Sequence, residues 1–247
     1  MTQFLARTDK PSLAYVLNKN AGESVDLPPI VFLGGFRSDM EGTKAIFLEE
    51  YCKNVGRDFL RFDYSGHGQS GGDFEDLVLS DWYQDGVDAI EHCFDRPVLL
   101  VGSSMGGWIS LVMAQMKPEL IAGIIGLAAA PDFTKWMEAG MSEEQTETLE
   151  RDGQFNLPND YGEPYVITKD LIEDGRALSL LHKKLECDFP IHLIQGKKDA
   201  DVPWETAEKI KDVFGRPDVR ITYIDEADHR LSAPDELEIL RRTVESL

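Results

Sequence analysis

One glycine–serine motif constrains the fold of this chain more than any other feature. The segment Gly102-Ser103-Ser104-Met105-Gly106 fits the pattern G-x-S-x-G and stands between a predicted strand, 98–102, and a predicted helix, 105–116. This is the context of a nucleophile elbow, a sharp strand-to-helix turn in which the central serine has a strained backbone. The motif predicts that Ser104 projects above a sheet. The alternative is a glycine-rich turn without a function.

The remainder of the chain alternates short β-rich runs with helical stretches. This rhythm is typical of a mostly parallel sheet with helices on both faces. We predict an α/β fold with about eight strands, since α/β folds of roughly 200–250 residues are often one domain. The strands are expected at Gln3–Arg7, Leu13–Leu17, Ile30–Leu33, Asp58–Phe62, 98–102, 120–129, Ile191–Gln195 and Val219–Ile224. The other helices are expected near 43–55, 79–94, 204–214 and 234–244.

One segment, 131–187, shows no clear alternation of strand and helix. It is rich in Met, Glu, Gly and Pro and contains scattered aromatic residues, among them Tyr161. An irregular excursion of this size in a compact domain is usually a functional insertion. We therefore expect a single domain over 1–247, with 131–187 as a small cap over the sheet.

A serine hydroxyl is a poor nucleophile until a base removes its proton. Among the five histidines, His229 lies in a loop directly after the last predicted strand, at the sheet edge where Ser104 also emerges. This position and the chain order predict that His229 is the base. His67, in a glycine-rich loop after the second main strand, is a weaker alternative. The others are expected to be surface or structural residues: His92, His182 and His192.

The base needs an acceptor that fixes its tautomer and stabilises the imidazolium. The turn after strand Ile191–Gln195 contains two carboxylates, Asp199 and Asp201, at the same sheet edge. They are two residues apart and are expected to point in different directions, so only one can serve. We favour Asp199, because Asp201 is well placed to cap the following helix. Spacing alone leaves both open.

Two backbone N–H groups are candidates for an oxyanion hole. The N–H of Met105 lies at a predicted helix N-terminus, where the helix dipole favours negative charge. The second donor is expected from the loop Gly34-Gly35-Phe36-Arg37, and the N–H of Phe36 is our candidate. The glycines also fit a tight turn without this role, and both interpretations can hold together.

The chain is similar to the α/β-hydrolase superfamily in the elbow and at several other motifs. These are Gly34-Gly35-Phe36, Asp63-Tyr64-Ser65-Gly66-His67-Gly68-Gln69-Ser70, Gly196-Lys197-Lys198-Asp199-Ala200-Asp201-Val202-Pro203 and Asp228-His229. The resemblance implies the α/β-hydrolase fold.

Further segments resemble a narrower group, the mitochondrial α/β-hydrolase-domain enzymes that hydrolyse palmitoyl-protein thioesters and acyl glucuronides. They are Ser38-Asp39-Met40-Glu41-Gly42-Thr43-Lys44-Ala45, Arg61-Phe62-Asp63-Tyr64-Ser65-Gly66, Val101-Gly102-Ser103-Ser104-Met105-Gly106-Gly107-Trp108, Asp201-Val202-Pro203-Trp204 and Asp228-His229-Arg230. The chain looks like a bacterial relative of this group. The resemblance implies hydrolysis of esters or thioesters, and it favours Asp199 as the acid by its position in the turn motif.

The expected chemistry is two-step acyl transfer through an acyl-enzyme, with no metal and no organic cofactor. An apolar acyl pocket could be lined by aromatic residues, although ordinary packing accounts for them equally well: Trp108, Phe133, Trp136 and Trp204. Arg37 could contact a substrate carboxylate or be a solvated surface residue. Alternatives on the same fold are an aminopeptidase-like enzyme, a carbon–carbon bond hydrolase and a non-catalytic binding protein.

Charge and cysteine content exclude some classes of protein. The formal net charge of -20 repels phosphate backbones and anionic headgroups, so nucleic acid and acidic membranes are not expected partners. The expected partner is a small-molecule or acyl ester or thioester substrate. Three cysteines far apart in sequence argue against a disulfide framework or a zinc site. No signal-like N-terminus and no run of ~20 apolar residues is present, so we expect a cytoplasmic location.

Overall fold

A computed structural model describes residues 1–20, 27–158 and 164–247. Ten strands occur in these residues: β1 Gln3–Arg7, β2 Lys10–Asn18, β3 Ile30–Leu33, β4 Phe59–Phe62, β5 Val98–Ser103, β6 Ile121–Leu127, β7 Gln154–Leu157, β8 Tyr165–Thr168, β9 Ile191–Gly196 and β10 Arg220–Ile224. Eight α-helices accompany them: α1 Thr43–Val55, α2 Leu79–Cys93, α3 Met105–Met116, α4 Phe133–Ala139, α5 Glu143–Asp152, α6 Lys169–Ala177, α7 Glu205–Phe214 and α8 Pro234–Glu245.

Eight strands form one twisted sheet in the order β1-β2-β4-β3-β5-β6-β9-β10. β2 pairs antiparallel with both β1 and β4, and the remaining pairs are parallel. The prediction of a mostly parallel sheet of about eight strands is confirmed, and the element bounds agree with the predicted ones to within a few residues.

The central strands are buried because helices cover both faces of the sheet. Side chains alternate between faces along a strand. In β3, Val31 and Leu33 join the core beneath α2 and α3, while Ile30 and Phe32 join the core beneath α1 and α8. All four side chains of this strand are buried. Because the central strands are parallel, their carboxyl ends lie at one edge of the sheet, and the loops at that edge carry the candidate site.

The segment between β6 and β9 contains more regular structure than its sequence indicates. It contains α4, α5, α6 and a separate antiparallel pair, β7 and β8. Residues 159–163, between β7 and β8 in the sequence, lie outside the described part of the chain. Tyr161 falls in that connection. The helix α5 escaped prediction because it buries only Leu149 and so has no apolar periodicity. Its start is instead marked by a capping box of Ser142 and Gln145.

Asp132 connects the two ends of this segment between β6 and β9. Its buried carboxylate accepts hydrogen bonds from the N–H groups of Leu180 (2.8 Å) and Leu181 (3.3 Å) and from the hydroxyl of Ser179 (2.7 Å). The segment following β6 is thereby held against the segment that follows α6. Across the described residues, none of the helices combines the length and the apolar character that crossing a membrane requires.

Candidate active site

The turn between β5 and α3 has the geometry that the glycine–serine motif predicts. Ser104 has φ 52° and ψ −113°, a conformation in the left-handed half of the φ range that few L-residues adopt. A Cβ at Gly102 would lie 2.3 Å from the carbonyl oxygen of Gly106, and one at Gly106 would lie 2.1 Å from that of Leu33. Both glycines are therefore required sterically, because helix α3 starts in contact with strands β5 and β3.

Neighbouring loops hold the strained serine in place. The N–H of Ser104 donates to the carbonyl of Leu127 at the end of β6 (2.9 Å), and the carbonyl of Ser104 accepts from the N–H of Ala130 (3.1 Å). A strained backbone persists only where its surroundings over-determine it. The turn is therefore a rigid platform for the Ser104 hydroxyl.

Ser104, His229 and Asp199 meet at the carboxyl edge of the sheet in one hydrogen-bonded chain. The Nε2 atom of His229 lies 3.1 Å from Ser104 Oγ, and its Nδ1 atom lies 2.9 Å from Asp199 Oδ2. His229 lies in the loop after β10 and Asp199 in the loop after β9. Since a carboxylate oxygen only accepts, Nδ1 carries the proton and Nε2 is free to accept from the serine hydroxyl.

The Asp199 carboxylate is fully buried and is oriented by four donors. Oδ2 accepts from His229 and from Gln195 Nε2 (3.0 Å), while Oδ1 accepts from the N–H groups of Asp201 (2.9 Å) and Val202 (2.8 Å). Burial raises the pKa of Asp199, but the hydrogen bonds from His229 and the backbone lower it by more. The pKa of this carboxyl is therefore below its ordinary value, and the group is ionised at neutral pH. Sequence reasoning missed Gln195, because nothing in a strand sequence shows which neighbour a buried amide meets.

Asp201 occupies a different environment from Asp199. Its side chain is exposed on the wall of the cavity described below, and it accepts no hydrogen bond from the described residues. Asp201 does not cap α7 with its side chain, since that helix has no side-chain cap. Ligand atoms of both carboxylates lie within 4.8 Å of His229, but Asp199 is the one that accepts a hydrogen bond from the histidine.

The two candidate oxyanion donors belong to backbone segments next to Ser104. Met105 is the first residue of α3, where N–H groups have no partner within the helix. A Cβ at Gly35 would lie 3.5 Å from Ser104 Cβ, so the backbone that leads into Phe36 passes directly beside the serine. The Phe36 ring packs edge-to-face against Phe74 and Phe133, with ring centroids 5.1 and 5.5 Å apart.

A cavity of about 470 Å³ opens over Ser104 and His229. Two of the four predicted pocket residues, Phe133 and Trp136 of α4, lie on its wall. The β7–β8 region adds lining residues that sequence reasoning had not assigned to a pocket: Leu157, Pro158 and Tyr165. Ala130, Met137, Asp201 and Val202 complete the lining, which is mostly apolar.

The other two predicted pocket residues lie elsewhere. Trp108 is fully buried in α3, stacks edge-to-face on Phe133 and donates from Nε1 to the carbonyl of Leu178 (3.2 Å). It therefore supports the cavity wall from behind. Trp204 is 38% exposed and packs against Tyr223 beside α7. Neither side chain lines the cavity.

The remaining histidines contact groups other than Ser104. His92 meets the Tyr15 hydroxyl, His182 meets Ser179 and His192 meets Thr222. His67, the weaker candidate for the base, is 4% exposed and bonds to the carbonyl of Ser65 and the N–H of Arg37.

One group of candidate metal ligands coincides with the site: atoms of Asp199, Asp201 and His229 lie within 4.8 Å of one another. Within it, Nδ1 of His229 and Oδ2 of Asp199 already bond to each other, and Oδ1 of Asp199 accepts two backbone N–H groups. The hydrogen-bonded chain and a metal would therefore compete for the same lone pairs.

Comparison with known proteins gives a consistent assignment. The sequence profile of the alpha/beta hydrolase family matches residues 30–238. The mitochondrial palmitoyl-protein thioesterase ABHD10 of Homo sapiens is 36% identical over 246 residues, which are 99% of this chain and 79% of that protein.

Solved structures agree over the whole chain. The alpha/beta hydrolase domain-containing protein 10 from mouse superimposes with a TM-score of 0.89 at 32% identity, covering 100% of this chain and 97% of that one. A protein of Agrobacterium vitis S4 has a TM-score of 0.91 at 33% identity, with the same coverage. The chain belongs to the α/β-hydrolase family.

Proposed function

We propose that this protein is a serine hydrolase that cleaves carboxylic esters or acyl thioesters through an acyl-enzyme. The observation that carries the proposal is the chain of hydrogen bonds from Ser104 Oγ through His229 to the buried Asp199 carboxylate. A positioned base and an acceptor behind it are what a serine hydroxyl needs to become a nucleophile.

The proposed steps use this geometry. His229 Nε2 takes the Ser104 proton as Oγ attacks the substrate carbonyl carbon. The carbonyl oxygen becomes an oxyanion, which the N–H groups of Phe36 and Met105 stabilise. The tetrahedral intermediate collapses as His229 returns the proton to the leaving alcohol or thiol. Water, deprotonated by His229, then releases the acid from Ser104 by the same route.

The cavity supports an acyl group as the part of the substrate that is bound. Phe133, Trp136 and Met137 offer apolar surface to an acyl chain. Asp201 is the acidic side chain among the described residues that line the cavity. The name of the human relative, a palmitoyl-protein thioesterase, supports acyl thioesters within this class. The net charge of -20 disfavours nucleic acid as a partner.

We further infer that the enzyme works in a reducing compartment such as the cytoplasm. All three cysteines are free thiols, and Cys52 and Cys93 are buried. Burial raises the pKa of the Cys52 thiol to about 12 and that of Cys93 to about 11, so neither is a reactive thiolate.

Fluorophosphonate labelling followed by peptide mapping tests the proposal. We expect label on Ser104 in the wild type, none in Ser104→Ala, and normal labelling in the matched control Ser103→Ala. Turnover of p-nitrophenyl esters is expected to fall by several orders of magnitude in Ser104→Ala only. A folded wild type that neither labels nor turns over esters or thioesters would refute the proposal. Turnover of amino-acid amides or diones in preference to esters would redirect it to the aminopeptidase or carbon–carbon hydrolase alternatives.

A further inference from the structure

The turn that carries Phe36 contains an unusual backbone conformation. The N–H and the hydroxyl of Ser38 both donate to the carbonyl of Gly35, at 3.2 and 2.8 Å, which closes a β-turn with Phe36 and Arg37 at its centre. Arg37 has φ 58°. The third position of such a turn favours glycine when φ is positive, and another residue there costs on the order of 1 kcal/mol or more. Something outside the turn must therefore hold it.

His67 supplies the contact at the backbone of Arg37. Its Nε2 accepts from the Arg37 N–H (3.2 Å), and its Nδ1 donates to the carbonyl of Ser65 (3.1 Å). Because a carbonyl only accepts, the proton is on Nδ1 and Nε2 presents its lone pair to Arg37. Burial lowers the pKa of His67 to about 4, so the imidazole is neutral and keeps this lone pair at neutral pH.

The imidazole is itself held in place. Its ring packs edge-to-face against both Phe74 and Trp82, with centroid distances of 5.1 and 5.2 Å. The Arg37 guanidinium lies 3.6 Å from the centroid of the same Phe74 ring and pairs with Glu75 at 2.9 Å. The loop after β4 therefore grips Arg37 at both its backbone and its side chain.

A third contact joins the same two loops further along. The buried Asp63 carboxylate accepts from the Met40 N–H (2.6 Å) beyond the turn and from the Gln69 N–H (2.7 Å) within its own loop. A Cβ at Gly68 would lie 2.2 Å from Asp63 Oδ2, so this packing requires glycine there. The loop is thus held at Arg37 by His67 and at Met40 by Asp63. Of these two contacts, the one from His67 fixes the residue next to Phe36.

We propose that His67 is a positioning residue for the oxyanion hole: it holds the Arg37 backbone so that the N–H of Phe36 faces the Ser104 reaction centre. The inference rests on the proposed function, since it gives Phe36 the role of an oxyanion donor. His67 does not line the cavity over Ser104, and its ring nitrogens bond to Arg37 and Ser65 and not to His229. Its loss affects the transition state, in which the oxyanion exists, more than the bound substrate.

Two substitutions separate this role from packing. In His67→Gln the side-chain oxygen can reach the place of Nε2 and accept from Arg37, whereas His67→Phe fills a similar volume without an acceptor. One oxyanion donor is worth about 10²–10³ in kcat, so a displaced but present donor in His67→Phe is expected to cost about 10- to 100-fold. KM is expected to change less than about threefold, and His67→Gln to keep kcat within about fivefold of wild type.

The assay is steady-state turnover of a p-nitrophenyl ester, together with inhibition by a trifluoromethyl ketone that mimics the tetrahedral intermediate. Affinity for this inhibitor is expected to fall in parallel with kcat in His67→Phe, with thermal unfolding recorded for each variant. An active wild type with folded His67→Phe at full kcat would overturn the inference, as would equal loss in both folded variants. An inactive wild type would instead overturn the proposed function.

If neither variant folds, nitrogen-15 NMR of the wild type decides. A scalar coupling between the Arg37 nitrogen and an unprotonated His67 Nε2 is expected. Protonation at Nε2 without coupling would overturn the inference.

Discussion

Replacing Asp199 by asparagine tests which acidic residue of the turn serves His229. The carboxylate accepts two hydrogen bonds at each oxygen, from His229 and Gln195 at Oδ2 and from the N–H groups of Asp201 and Val202 at Oδ1. An amide offers one oxygen in place of two. The two backbone donors keep that oxygen on their side, so the NH₂ group faces the Nδ1 atom of His229.

The cost follows from the tautomer of the histidine. The Nδ1 atom of His229 then faces the NH₂ donor of the asparagine and must accept a hydrogen bond. Its proton therefore moves to Nε2, opposite Ser104 Oγ. A protonated Nε2 cannot take the serine proton. The same change in Ser-His-Asp proteases lowers kcat about 10⁴-fold, which is about 5.5 kcal/mol of transition-state stabilisation. We expect a loss of this size in Asp199→Asn.

The measurement is kcat for a p-nitrophenyl ester in Asp199→Asn and in the matched variant Asp201→Asn. Asp201 lies on the cavity wall within 4.8 Å of His229, but its side chain accepts no hydrogen bond from the described residues. Its loss removes only a nearby exposed charge, so the kcat of Asp201→Asn is expected to fall less than about tenfold. The reverse ranking of the two variants would assign the acid to Asp201. Full activity in both would show that His229 works without a carboxylate behind it.

Three further predictions concern the elbow, the buried histidine and the cavity. Gly106→Ala places a Cβ 2.1 Å from the carbonyl oxygen of Leu33, so urea unfolding should show a loss of about 3 kcal/mol, and an unchanged midpoint would contradict this packing. Burial lowers the pKa of His67 from 6.5 to about 4, so the unfolded chain protonates this histidine at a higher pH than the folded chain does. The folded state is therefore stabilised by the neutral histidine above pH 6.5 and loses that stabilisation as the pH falls towards 4. Over that pH range the free energy of unfolding of the wild type should therefore fall by about 3 kcal/mol more than that of His67→Phe. Parallel plots of unfolding free energy against pH for the two proteins would refute this prediction. Met137→Trp should narrow the cavity and lower kcat/KM for long-chain p-nitrophenyl esters about tenfold relative to the acetate, whereas a uniform change would place the acyl chain elsewhere.

The scaffold was predictable because its local signals agree with the global fold. β3 is a run of four apolar residues buried on both faces, and α3 begins and ends at the predicted residues, 105 and 116. The G-x-S-x-G spacing is a steric statement, since both glycines face a backbone atom closer than 2.5 Å. The glycine spacing in the sequence therefore predicts the close backbone contacts in the fold.

The cavity wall was less predictable because burial depends on partners that are distant in sequence. Every residue of α3 from Met105 to Ala114 is buried, so its apolar composition gives no indication of which face meets the cavity. Trp108 consequently lies behind the wall. Tyr165 lies on the wall as the first residue of β8, whose antiparallel pairing with β7 the sequence did not predict.

The candidate site takes its reactive groups from the loops of the sheet and most of its cavity wall from the segment between β6 and β9. The proposed nucleophile, acid and base follow β5, β9 and β10, the proposed oxyanion donor Phe36 follows β3, and His67 follows β4. All five strands run parallel, so the register of one sheet sets the distances among these residues. The segment between β6 and β9 supplies most of the cavity wall and none of the groups proposed to move protons. Substitutions in the segment between β6 and β9 should therefore alter which substrates react, whereas substitutions in the loop after β4 should alter how fast every substrate reacts.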